Sequence, residues 1–178
     1  AIRRDEHKLG LPANFQSNSS IATRGYDNEI VQISLHGKTP PQTIFRPEGK
    51  RYVGELCLHF DARRLLFSMP NAKDQWQVFE IQTDGTGLRQ ATPDLEDGLG
   101  SYDACYLPNG DLIYTCTAVM TGVPCVAGGS HVANLFRCTA DGKNVRQLCF
   151  DQEHNWTPRV MDNGTILYQR WEYTDTPH

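Results

Sequence analysis

The side chains of this chain best equipped for chemistry are histidines, carboxylates and tryptophans in or beside its longer connecting segments. His131, His154 and His178 fall in long connections expected at the same end of the sheets as Asp103, Asp151, Glu153, Glu172 and Asp175. Imidazole and carboxylate groups drawn from successive structural repeats suit a divalent cation, which makes His131, His154 and His178 the metal-ligand candidates. The wider set of ligand-binding candidates is Asp103, His131, His154, Trp156, Trp171 and Glu172. A plainer role competes, because an Asp or His that opens a strand often only hydrogen-bonds a neighbouring backbone. Trp156, Trp171 and Tyr173 would make an aromatic shelf for a sugar, or would pack between sheets as core. His7 and His36 lie in polar lead-in or turn sequence and read as solvated. No residue can be named as catalytic. Gly-x-Ser-x-Gly is absent, and Gly128-Gly129 is not followed by the pattern of a phosphate-binding loop.

These groups need a scaffold, and the sequence repeats one. QVFEIQTDGTGLRQATPD (Gln77 to Asp94) matches NLFRCTADGKNVRQLCFD (Asn134 to Asp151), and CYLPNGDLIYTC matches LHFDARRLLFSM before it and RVMDNGTILYQR after it. NEIVQISLHGKTPPQTIF near the start is a fainter copy of the second half. Within a repeat, short runs alternate with period two: Leu112, Tyr114 and Cys116 face one side, Ile113 and Thr115 the other. Asp84-Gly85, Asn109-Gly110, Asp141-Gly142 and Asn163-Gly164 reach positive φ at low cost and mark tight hairpins. A repeat of about fifty residues built from four strands is a propeller blade.

The fold class is therefore all-β, a β-propeller of four-stranded antiparallel blades. Two full blades are expected near 53–94 and 101–151, with half blades near 28–50 and 156–178 and an irregular lead-in over 1–27. Propellers close their ring with about four to eight blades, so the chain reads as an arc completed by further blades or by a partner chain. Short turns mark one end of every blade. The long connections, among them TAVMTGVPCVAGGSHVA and DQEHNWTP, all fall at the other end, where loops on a rigid scaffold carry binding groups.

Composition narrows the partners. With 178 residues, 39% hydrophobic, 21% charged and a net charge of −4, the chain is globular and has no basic footprint for nucleic acid. No apolar run approaches the roughly 20 residues of a membrane span. Cys57, Cys105, Cys116, Cys125, Cys138 and Cys149 form no CxxC, which excludes zinc-ribbon and covalent c-type haem readings within the segment. Most read as buried small hydrophobes, and a Cys116–Cys138 cross-strand disulfide stays open. Asn18, Asn155 and Asn163 begin glycosylation-type triplets.

The stretches DGTGLRQATPD and the Pro-Asn-Gly turn resemble TolB-type, WD-like propeller repeats. YDACYLPNGDLIYTCTA, DQEHNWTPRVMDNGTILYQRWEYTDTPH and LGLPANFQSNSS resemble the hydrazine synthase alpha-subunit middle-domain family, over about Leu9 to His178. That resemblance implies a binding or assembly scaffold in an exported bacterial protein, periplasmic or extracellular, with no cofactor in this segment beyond an optional divalent metal. Two alternatives follow from it: a subunit of a haem-containing redox complex whose haem sites lie outside this segment, and a metal-dependent polysaccharide lyase-like propeller.

Overall fold

The computed structural model describes residues 1–5, 7–13, 16–123 and 130–173. Its strands form four antiparallel sheets in chain order. The first holds β1 (Ile2–Arg3), β2 (Glu29–Gln32) and β3 (Gln42–Phe45). The second holds β4 (Gly54–Leu58), β5 (Arg64–Pro70), β6 (Trp76–Gln82) and β7 (Arg89–Gln90). The third holds β8 (Ser101–Tyr106), β9 (Leu112–Cys116), β10 (Asn134–Cys138) and β11 (Arg146–Gln147), and the fourth pairs β12 (Asn155–Val160) with β13 (Ile166–Arg170). Both full repeats are thus four-stranded meanders, as the spacing predicts. The first 27 residues, expected as an irregular lead-in, supply β1, which pairs with β2 and gives the first sheet a third strand. The chain between β1 and β2 is then the first long connection.

Both faces of an inner sheet are buried, which is why alternation yields two apolar sets rather than one apolar and one polar. Leu112, Tyr114 and Cys116 pack with Leu66, Val78 and Ala91 of the preceding sheet. Ile113, on the opposite face, joins Cys105, Leu135, Val160 and Ile166 toward the following one. Ile30 and Ile44 meet Leu65, Phe67 and Phe79 between the first two sheets. Each such Leu, Ile or Phe contributes about 1.5–3 kcal/mol on full burial.

A separate aromatic layer closes the end that carries the long loops. Ile21 and Tyr26 of the first connection pack on Tyr52, Trp76, Tyr102 and Ala133. The Tyr26–Tyr52 and Tyr52–Trp76 rings meet edge to face at 5.3 and 5.1 Å. This layer fixes the course of the first connection across the mouth of the sheets.

The disulfide left open by the sequence does not form. Cys116 lies opposite Asn134 and Cys138 opposite Leu112, at opposite ends of the β9–β10 ladder, and both are free thiols. Cys125 lies outside the described residues. Asn18 and Asn155 are buried, and Asn155 donates to Asp151 at 2.8 Å, so neither amide presents itself for glycosylation.

Candidate functional site

The first strands of three successive sheets share one irregularity. Pairing of β4 with β5 slips by one residue between Gly54 and Cys57, that of β8 with β9 between Tyr102 and Cys105, and that of β12 with β13 between Trp156 and Arg159. Inside each slip one residue adopts left-handed backbone: Glu55 at φ 50°, Asp103 at 48° and Thr157 at 55°. A bulge of this kind re-aims a side chain and is costly for a residue with a Cβ, so its recurrence at equivalent positions marks a built feature.

The three bulges face the first connection. Asn18 donates from Nδ2 to Glu55 Oε2 at 3.2 Å, and Tyr102 donates its hydroxyl to Ser17 Oγ at 2.6 Å. Tyr52 donates to Glu55 Oε1 at 3.2 Å and is itself held by Arg4, whose guanidinium lies 4.6 Å from the ring centre. Ser68 of β5 ties the Glu55 carboxylate to the Asp103 backbone: its hydroxyl bonds Glu55, and its oxygen accepts the Asp103 N–H at 2.8 Å. Arg159 donates to Asp103 Oδ1 at 3.0 Å from the position that Cys57 and Cys105 hold in the two sheets before it.

Burial dominates the electrostatics of Glu55. Burial, reinforced by the negative charge of Asp103, raises Glu55 to a pKa of about 6, although hydrogen bonds from Ser68, Asn18 and Tyr52 oppose the shift. Burial pushes the Tyr52 and Tyr102 phenols well above their ordinary range, so both act as neutral donors.

A cavity of about 290 Å³ opens over this group, lined by Ser17, Asn18, Tyr102, Asp103, Trp156, Thr157 and Gln169 among others. Asp103 and Trp156, both expected as ligand-binding residues, meet here. His154 does not line it. Its ring is fully buried, accepts the Ala133 N–H on Nδ1 at 3.0 Å, and supports Trp156 and Trp171 at centroid distances of 4.4 and 5.7 Å. His131 lines a second cavity of about 310 Å³ with Trp76, Lys73 and Leu99. Glu172 is exposed and pairs with Arg170 at 2.7 Å. His178 lies outside the described residues. Among the described residues no group of three or more His, Cys, Asp or Glu side chains is placed to hold a metal ion.

Sequence reasoning passed over Glu55, Thr157, Ser17, Asn18 and Gln169. One signal was present: Glu55-Leu56-Cys57 and Asp103-Ala104-Cys105 put an acid two residues before a cysteine at the same place in consecutive repeats.

No family model matches the sequence, and no curated protein sequence matches it. Among the described residues, no helix is long and apolar enough to cross a membrane, which leaves β-barrels unaddressed. Solved structures do resemble the fold. Hydrazine synthase of Kuenenia stuttgartiensis aligns with a TM-score of 0.60 at 16% identity, over 80% of this chain and 24% of that one. TolB of Acinetobacter baumannii aligns at 0.58 and 17%, over 80% of this chain and 32% of that one. A TolB from Agrobacterium tumefaciens, described as putative in its own structure, aligns at 0.58 and 11%, over 82% and 50%. The chain thus spans between a quarter and a half of these neighbours. At such identities the likeness speaks for architecture alone, and on that count the chain is an open arc of β-propeller, an architecture it shares with TolB proteins and hydrazine synthase.

Proposed function

We propose that this arc is a binding scaffold whose ligand seats at the mouth of the first strands, on the side of the long loops. The recurrence of the left-handed bulge at Glu55, Asp103 and Thr157 carries the reading. Three strained residues at equivalent places, all beside one connection and two of them, Asp103 and Thr157, bordering one cavity, cost stability that packing alone does not require. Buried apolar clusters pack the sheets behind them together, so the mouth is held rigid. An exported setting, periplasmic or extracellular, belongs to the same proposal through the family resemblance and is checked by fractionating cells.

The three tryptophans test the site directly, because each reports a different place. Trp156 lines the cavity over Asp103, Trp76 lines the one beside His131, and Trp171 packs behind His154. In a fragment screen followed by the indole N–H resonances, polar fragments should move Trp156 and lose that effect in Asp103→Ala. Fragments that move Trp76 alone would shift the site to the His131 cavity and end this reading.

A further inference from the structure

We infer that the cavity over Asp103 takes a neutral sugar ring, stacked on the Trp156 indole and held through its hydroxyls. The inference rests on the binding-scaffold reading and names the ligand of the same site. Its first support is the inventory of groups left available. Trp156, Thr157 and Gln169 line the cavity, and their indole N–H, hydroxyl and amide have no hydrogen-bond partner among the described residues. Together they offer donors and acceptors in roughly equal measure, which matches a polyol better than a ligand that only donates or only accepts.

Charge supplies the second support. A carboxylate or phosphate ligand would meet Asp103 at the wall with Glu55 behind it, two acids against the single Arg159 guanidinium, and like charges repel. An ammonium ligand would need an uncompensated carboxylate, but Arg159 already occupies Asp103 Oδ1. What Asp103 still offers is acceptor capacity for a hydroxyl, a charge-assisted bond stronger than a neutral one.

Shape is the third. His154 braces the indole from within the sheet at a centroid distance of 4.4 Å, so the ring stays in place without a ligand. A preformed platform loses little freedom on binding. The volume of about 290 Å³ lies at the small end of ligand pockets, which run from about 300 to 1,000 Å³, and so fits one ring rather than an extended chain.

The test uses protein expressed from its complete reading frame, titrated with methyl glycosides of glucose, galactose, mannose and N-acetylglucosamine while tryptophan fluorescence and the Trp156 indole resonance are followed. Methyl glucuronide and putrescine serve as the charged comparators. One of the neutral glycosides should give a saturable shift in the millimolar range. Gln169→Ala, which alters an exposed side chain and leaves the fold intact, should weaken it about tenfold, and Trp156→Phe should weaken it less than Trp156→Ala. Saturable binding of the glucuronide or putrescine at Trp156, without the neutral glycosides, overturns the sugar assignment and leaves the binding site standing. No effect of any probe on Trp156, together with fragments that shift Trp76 alone, overturns both.

Discussion

At the scale of the residue, two side chains carry opposite costs that experiment can separate. Glu55 keeps its proton to a pKa of about 6 in the folded chain, against an ordinary glutamate value of 4.5. A carboxyl raised on folding binds more protons in the native state than in the unfolded one between those two values. Stability therefore falls as pH rises through that window, by about 2 kcal/mol for a shift of this size. Glu55→Gln keeps the volume and removes the titration, so urea unfolding of the variant between pH 4.5 and 7 should lack the downward slope expected of the parent. An unchanged slope would assign it to other groups. Thr157 pays in backbone strain, since a β-branched residue at φ 55° sits where L-residues lose roughly 1–2 kcal/mol. Asn tolerates that region, and Thr157→Asn should raise stability by about 0.5–1 kcal/mol at the expense of a cavity hydroxyl. Repeat matching and the alternation of the second strands announced the blades that hold these groups, because both are properties of the chain itself. The bulges were not legible that way. They arise where the twist of a sheet meets the first connection, a contact between residues such as Asn18 and Glu55 that are distant in sequence.

At the scale of the element, the short turns do more than reverse the chain. Gly85 ends the β6–β7 hairpin at φ 87°, and a Cβ built there would come within 2.7 Å of the Ile44 carbonyl on β3 of the preceding sheet. Gly142 repeats the relation in the next blade, with its Cβ position 3.0 Å from the Ala91 carbonyl. The outer hairpin of each full blade thus rests its backbone on the outer edge of the blade before. Gly110 and Gly164, in the inner hairpins, have φ of 89° and 81° but nothing within 4 Å of a built Cβ. Gly110→Ala should therefore cost only the conformational penalty, about 1–2 kcal/mol. Gly85→Ala adds a backbone clash between sheets and should cost about 2–4 kcal/mol in denaturant titrations. Equal losses would mean the outer hairpins are not seated on their neighbours. All four turns were legible as Asp-Gly or Asn-Gly pairs, whereas their unequal duties were not, since those depend on the sheet behind. His154 follows the plainer of its two sequence readings: it opens a strand and accepts the Ala133 N–H of the neighbouring blade.

At the scale of the whole molecule, the arc ends in sheets whose faces are built for contact. Leu66, Ile113 and Leu167 are equivalent second-strand residues, paired with or directly across from Cys57, Cys105 and Arg159. Leu66 and Ile113 are 0% and 4% exposed because the following sheet covers them, while Leu167 is 60% exposed. A repeat that conserves an apolar choice where nothing covers it points to a further sheet on that flank, and uncovered strands invite edge-to-edge pairing. The 178 residues produced alone should bind an apolar dye and self-associate as concentration rises. Leu167→Lys should then reduce association and leave the unfolding midpoint nearly unchanged, because no buried contact is lost. In protein from the complete reading frame the same substitution should instead destabilise by about 1.5–3 kcal/mol, the value of a buried leucine, with more if the ammonium is trapped without a partner. That reversal between the two contexts is specific to a flank covered by another blade. A substitution that is harmless in both would show the flank to be true outer surface, and the arc would then have to close by some other route.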